Sequence, residues 1–159
     1  MKKLTYVILL VFGISGMFYT SSPTAAAEDA ATVTGAARGV FGAGTAINSV
    51  AVQSFDLGTG VFIEPDGSAS GTFNAVLNGR SVLGQAQQIT IDGKADRGAV
   101  APNGRVFFSG IATINFGNGT PSLAGVPFSV SASRDSLVLT INSTALSAAG
   151  LTAGVISIE

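Results

Sequence analysis

The clearest alternation of apolar and polar positions in the chain lies between residues 105 and 116. One parity carries the apolar side chains Val106, Phe108, Ala112, Ile114 and Phe116. The other parity is mostly polar, although it includes Phe107 and Ile111. Because successive side chains leave a strand on opposite faces, a period of two predicts a strand. Asn103-Gly104 and Asn118-Gly119 bracket it with residues that accept the positive φ angles of tight turns.

Weaker copies of this pattern fill the rest of the chain. Short apolar or alternating runs occur at 47–55, 61–63, 68–77, 85–91, 126–132, 137–141 and 155–158. Turn chemistry separates them at Gly58-Thr59-Gly60, Pro65-Asp66-Gly67, Asn78-Gly79 and Asp92-Gly93. The Ala-rich residues 143–150 could form one short helical turn. About eight to ten short strands with frequent turn signals predict an all-β, single-domain antiparallel sandwich or small barrel.

The first 27 residues have the layout of a secretory signal peptide. Lys2 and Lys3 precede an uncharged apolar run over residues 4–19, and after a short polar stretch Ala25-Ala26-Ala27 forms a small-residue cleavage site. An uncleaved membrane anchor is the alternative, for which the run is shorter than the ~20 residues of a membrane span. We expect cleavage near Ala27 in a bacterial protein that is secreted, periplasmic or on the cell surface. Residues 28–37 would then be a flexible tail and residues 38–159 the all-β domain, with no transmembrane segment remaining.

Composition after cleavage excludes several kinds of chemistry. Six basic residues would remain against nine acidic ones, a net charge of −3, and eight Phe would be the only aromatic residues. His, Cys, Trp, Tyr and Met would all be absent, so disulfides, the usual zinc, copper and haem ligands, and Ser-His-Asp or Cys-His catalysis are excluded. A negative chain without a basic cluster argues against nucleic-acid binding. We therefore expect no enzyme activity, no cofactor and no metal.

The remaining functional classes are a binding or structural module, a carrier and a hydrolase. The primary hypothesis is a non-catalytic module of the cell envelope or the extracellular space. Phe73, Phe108, Phe116 and Phe128 could instead line a barrel cavity for a lipid or small apolar ligand, although a core would need them at the same positions. A hydrolase with paired carboxylates is least favoured, because most Asp residues lie where Asp is ordinary turn chemistry.

Two aromatic residues are candidates for a surface that contacts an apolar ligand or a partner protein. Phe107 and Phe108 are adjacent, so in a strand they point to opposite faces and one of them leaves the core. Phe62 lies in the middle of the short apolar run 61–63. We name Phe107 and Phe62 as candidate contact residues for an envelope protein or a small apolar ligand.

The last third of the chain resembles bacterial secreted domains of the post-COAP type. The segments that carry this resemblance are Phe108-Ser109-Gly110, Asn118-Gly119-Thr120, residues 127–130, residues 137–141 and the ending at residues 151–158. No activity is established for that family. The resemblance implies only an extracytoplasmic all-β domain, and it carries no functional residue over to this chain.

Overall fold

The computed structural model describes residues 30–159. The predicted signal peptide and its cleavage site near Ala27 lie outside the described residues. The described chain forms ten strands and no helix. They are β1 (Ala31–Phe41), β2 (Ala46–Ile47), β3 (Val50–Ile63), β4 (Ala69–Arg80), β5 (Ala86–Val100), β6 (Val106–Asn115), β7 (Leu123–Ala132), β8 (Ser136–Ile141), β9 (Thr144–Ala145) and β10 (Ala149–Ile158).

These strands form one antiparallel sheet whose pairings close into a ring. Each strand from β3 to β8 pairs with the next along the chain, and β1 lies between β3 and β10. The ring closes where β10 meets β8, through only two residue pairs, Ala149 with Leu137 and Gly150 with Ser136. The short strands β2 and β9 add to β3 and β8. The predicted all-β class is confirmed, and the architecture is barrel-like with a weak seam between β8 and β10.

Alternating side chains of the strands face inward and fill the ring, and in β3 the inward parity changes at the bulge between Val52 and Ser54. In β6 the predicted apolar parity is buried, and Phe108 is 2% exposed whereas its neighbour Phe107 is 44% exposed. The rings of Phe73, Phe108 and Phe128 lie against one another, with centroids 5.6 to 6.4 Å apart. Aromatic rings at such separations interact favourably beyond the effect of simple burial. Three of the Phe residues proposed for a cavity thus pack together in the core.

Three of the predicted turns are wrong. Gly58-Thr59-Gly60, Asn78-Gly79 and Asp92-Gly93 lie inside β3, β4 and β5. Strand neighbours on both sides engage these segments, so their local turn preference is overridden. Gly93 shows a physical reason for glycine within a strand: a Cβ there would lie 2.8 Å from the ring of Phe128. Glycine at this position allows an aromatic ring to pack over the strand.

Two other segments differ from their sequence-based prediction. The tail expected over residues 28–37 is, from Ala31 onward, part of β1, which pairs with both β3 and β10. The Ala-rich residues 143–150 contain no helical turn, but β9, a buried Leu146 and the start of β10. In both segments, pairing with distant strands outweighs the weak local preference of small residues.

Candidate functional site

The charged residues are distributed unequally between the two ends of the barrel-like ring. One end, which we call the uncharged end, is formed by residues 42–49, 81–85, 116–122 and 142–148. None of these residues is Asp, Glu, Lys or Arg. Connections at the opposite end cover residues 64–68, 101–105 and 133–135, beside the chain's last residue, and contain Glu64, Asp66, Arg105, Arg134, Asp135 and Glu159. The two ends therefore differ sharply in charge.

Three hairpin turns in the sheet share one geometry. In the β3–β4 turn the Gly67 amide donates to the Glu64 carbonyl at 3.0 Å. The Glu64 amide donates to the Ser68 carbonyl at 2.8 Å. The β5–β6 turn repeats this pattern over residues 101–105, with distances of 2.9 and 2.8 Å. The β4–β5 turn repeats it again over residues 81–85, with both distances 2.9 Å. Its glycine has φ of 76°, against 83° and 74° in the other two turns.

The side chains at the centres of these equivalent turns are very different. The two turns at the charged end carry Pro65-Asp66 and Pro102-Asn103, which are favoured turn residues. The β4–β5 turn, at the uncharged end, carries Val82 and Leu83 in the same two places. Each is 80% exposed, so neither contributes substantially to the core. Neither turn formation nor core packing therefore accounts for two adjacent apolar residues at this tip.

The base of this tip is held in place by hydrogen bonds. The Arg80 guanidinium donates to the Gly84 carbonyl at 2.9 Å. Next to it, the Gln87 side chain donates to the Phe116 carbonyl at 2.7 Å, which connects the start of β5 to the β6–β7 loop. Among the described residues, Arg80 is the charged residue that borders the uncharged end most closely in sequence. The tip thus projects two apolar side chains from a fixed hairpin.

A pocket with a mixed polar and apolar lining opens at the same end of the ring. It has a volume of about 530 Å³, and its apolar lining comes from Ile47, Ile114, Phe116, Leu123, Val126 and Ile141. Leu123 is 52% exposed at its rim. Asn48 and Asn142 also line it, with left-handed φ angles of 48° and 55°. We call this cavity the mouth pocket.

Two loops beside the mouth pocket are connected through a buried hydroxyl group. Thr45 is 6% exposed and is the one buried polar residue within residues 30–159. Its hydroxyl donates to the Gly42 carbonyl at 2.8 Å and contacts the Ser147 hydroxyl. Residues 42–49 and 142–148 are therefore joined although they are far apart in sequence. This contact joins two of the four segments that form the uncharged end.

The structure places the two predicted contact residues apart from each other. Phe107 lies on the outer face of β6, in an open groove of about 510 Å³ with Ser129, Ser131 and Val138 among its lining residues. Phe62 is 41% exposed on the outer face of β3. Because β4 and β5 lie between β3 and β6, the two residues are three strand positions apart in the sheet. Phe62 and Phe107 therefore do not form one surface.

Sequence reasoning missed Val82 and Leu83. The signal was present, because Ser81-Val82-Leu83-Gly84 takes the place of the favoured Pro-Asp-Gly and Pro-Asn-Gly turn sequences. It was hidden because the turn was placed four residues too early, at Asn78-Gly79. With the hairpin tip at residues 81–84, the two apolar residues become exposed rather than part of a strand.

The carboxylates of the described residues all lie outside the core. Asp66, in the β3–β4 turn, accepts a hydrogen bond from the Ser68 amide at 2.9 Å, which lowers the pKa of its carboxyl group. Arg38 and Asp56 form an ion pair at 2.6 Å on the outer face of the sheet. Within residues 30–159, no three His, Cys, Asp or Glu side chains lie close enough together to hold a metal ion.

Comparisons of the chain with family models, with curated proteins and with solved structures find no match. The resemblance of the last third to post-COAP-type domains stays a prediction. Within the described residues there is no helix long and apolar enough to cross a membrane.

Proposed function

We propose that this protein is a non-catalytic, extracytoplasmic β-domain that attaches reversibly to a lipid surface through its uncharged end. The observation that carries the proposal is the pair Val82 and Leu83, each 80% exposed at the tip of a hydrogen-bonded turn. Around this tip, the remaining loops of the same end contribute no charge. The predicted signal peptide agrees with a location at the cell envelope.

A lipid surface suits this end better than a protein surface does. Val82 and Leu83 project from a convex tip, and a protein partner would need a matching cavity to bury them. The lipid interface is fluid and accepts apolar side chains without such a cavity. Charged side chains are costly to insert below the headgroups. Because the loops of this end carry no charge, this cost does not oppose their insertion. Ser, Thr and Asn in the loops can hydrogen-bond in the headgroup region.

The size of the apolar contact predicts weak, reversible attachment. Full burial of a Val or Leu side chain contributes about 1.5–3 kcal/mol. Two such side chains contribute about 3–6 kcal/mol to the free energy of binding. For the pair alone, this corresponds to a dissociation constant of ~1 mM. Leu123, half-exposed at the same end, adds to this contact if it enters the same interface. The protein would therefore exchange between a lipid surface and solution.

A carrier of a small apolar ligand is the second candidate, and the mouth pocket favours it. Its volume of about 530 Å³ falls within the ~300–1,000 Å³ typical of small-ligand sites. Five of its lining side chains are aliphatic, and Phe116 adds an aromatic ring. Since the pocket opens at the uncharged end, a bound acyl chain could enter from a lipid surface. Lipid extraction and mass spectrometry of the purified protein test this candidate.

Vesicle flotation tests the primary proposal. The full chain is expressed, the form that accumulates is purified, and its intact mass shows which N-terminus it has. It is then mixed with phosphatidylcholine vesicles and compared with the double variant V82S/L83S. The matched control is Ile111→Ser, which removes an apolar side chain that is 57% exposed on the wall of β6.

We expect the parent and Ile111→Ser to float equally and V82S/L83S to bind at least ~10-fold more weakly, a difference of ~1.4 kcal/mol or more. All three proteins must carry the same N-terminus, which the intact mass checks, and the vesicle concentration is chosen so that the parent floats only in part. Equal flotation of all three proteins, or no flotation of the parent, would contradict attachment through this tip.

A further inference from the structure

Strand β10 has an edge that no other described strand covers. On one side it pairs with β1 along almost its whole length, from Phe41–Ala149 to Val33–Ile158. On the other side, pairing with β8 ends after Ala149 and Gly150. One more hydrogen bond, from the Leu151 amide to the Asp135 carbonyl at 3.0 Å, ends the contact at the β7–β8 turn. Residues 152–158 continue past that turn with no strand of residues 30–159 on this side.

The hydrogen bonds between β10 and β1 determine which backbone groups of β10 face the open side. Glu159 and Thr32 exchange two hydrogen bonds, at 2.7 and 3.1 Å, so the backbone groups of Glu159 point towards β1. Backbone direction alternates along an antiparallel strand. Ser157 therefore also points to β1, whereas Ile156 and Ile158 direct their amides and carbonyls to the open side. These groups form a short template for another strand.

This edge has little of the protection that open edges usually carry. Exposed edges are commonly blocked by Lys, Pro or a bulge. From Ser136 to Ile158 the chain contains no charged residue and no Pro. A bulge does occur opposite Arg38 and Gly39, near Gly154, whose φ is 81°. It lies before residues 155–158, so it leaves the last part of the edge available.

We propose that the open edge of β10 pairs antiparallel with the same edge of a second copy of this chain. A two-fold arrangement centred on Ile156 places Ile156 opposite Ile156 of the second copy and Val155 opposite its Ser157. Val155 is 61% exposed on the outer face, where Val155 of the second copy would be its diagonal neighbour. Glu159 would lie opposite Ala153 of the second copy, so no like charges meet. Such a self-complementary contact is the usual way that identical chains associate.

The length of the edge limits the strength of this dimer. A pairing of about five residues buries less than the ~1,200 Å² of a stable specific interface. We therefore expect association in the high micromolar range, not a permanent dimer. Because the two β10 strands run in opposite directions in one continuous sheet, the uncharged ends of the two copies would point in opposite directions. The dimer itself does not depend on the proposed lipid attachment.

Sedimentation equilibrium of the recovered full-chain product, with and without Val155→Lys, tests the proposal. Ile111→Lys is the matched control, since Ile111 is similarly exposed but lies on β6, between two paired strands. We expect the parent and Ile111→Lys to dimerise equally and Val155→Lys to weaken association at least ~10-fold. A parent that stays monomeric up to ~1 mM, or equal effects of both lysines, would overturn the proposal.

Cysteine crosslinking gives a second, geometric readout, because the chain contains no Cys of its own. Val155→Cys and Ser157→Cys are purified separately and mixed under mild oxidation. We expect the mixed disulfide dimer to form faster than either homodimer, as pairing centred on Ile156 requires. Random crosslinking, with equal rates for all three products, would contradict this register. Monomers alone in both experiments would overturn the proposal.

Discussion

Leu83 occupies in the β4–β5 turn the place that Asn103 occupies in the β5–β6 turn. Both residues directly precede a glycine of positive φ, 76° at Gly84 and 74° at Gly104, and both turns close with hydrogen bonds of about the same length. Asn103 also accepts a hydrogen bond from the Arg105 amide at 3.1 Å, which Leu83 cannot do in its turn. The β4–β5 turn therefore gives up turn stabilisation and exposes an apolar side chain instead.

Restoring favoured turn chemistry should stabilise the protein. In the double variant V82P/L83N the turn gains the proline and polar residue of its two counterparts. Proline reduces the freedom of the unfolded chain, so we expect the free energy of unfolding to rise by about 0.4–1 kcal/mol, measured by urea denaturation. Pro102→Val, the reverse change, should lower it by a similar amount. A destabilised V82P/L83N protein would show that the three turns are not equivalent.

Attachment to phosphatidylcholine vesicles should not depend on salt. The uncharged end contains no ionisable side chain, so salt has no electrostatic attraction to screen there. We expect the bound fraction in flotation to be the same at low and high sodium chloride concentration. Binding that falls steeply with salt would instead point to Arg80 or to the charged end as the contact.

Adjacent phenylalanines in β6 should differ strongly in their effect on stability. Phe108 is 2% exposed and packs against Phe73 and Phe128, so Phe108→Ser should cost at least ~3–5 kcal/mol and unfold much of the protein. Phe107 is 44% exposed in a surface groove, so Phe107→Ser should cost less than ~1.5 kcal/mol. Circular dichroism during thermal unfolding measures both. Equal and severe losses would mean that Phe107 is covered by an element not seen here.

Two glycines within strands should respond oppositely to alanine. A Cβ at Gly110 would lie 1.9 Å from the Lys94 carbonyl oxygen, so Gly110→Ala requires β5 and β6 to shift. We expect a loss of at least ~1–3 kcal/mol in the free energy of unfolding. Gly58 has open space around its Cβ position, and Gly58→Ala should be neutral or stabilising by up to ~1 kcal/mol. A harmless Gly110→Ala would contradict the close β5–β6 approach.

Much of the local structure followed from the sequence. The alternation from Val106 to Phe116 correctly separated buried from exposed side chains, because side-chain direction in a strand depends only on parity. Pro65-Asp66-Gly67 and Asn103-Gly104 correctly marked turns. Asn78-Gly79 and Asp92-Gly93 carry comparable local preferences but lie in paired strands. Local chemistry could not distinguish these cases, since the outcome depends on which distant strands are available for pairing.

By itself, the sequence determined the fold class, the inward and outward faces of β6 and the absence of charge from individual segments. Only the tertiary structure decided that residues 42–49, 81–85, 116–122 and 142–148 share one end, that Phe62 and Phe107 lie apart, and that β10 keeps an open edge. The physical reason is that these relationships depend on strand direction, register and ring closure. Those properties arise from hydrogen bonds between residues far apart in the chain, which no local pattern of side chains specifies.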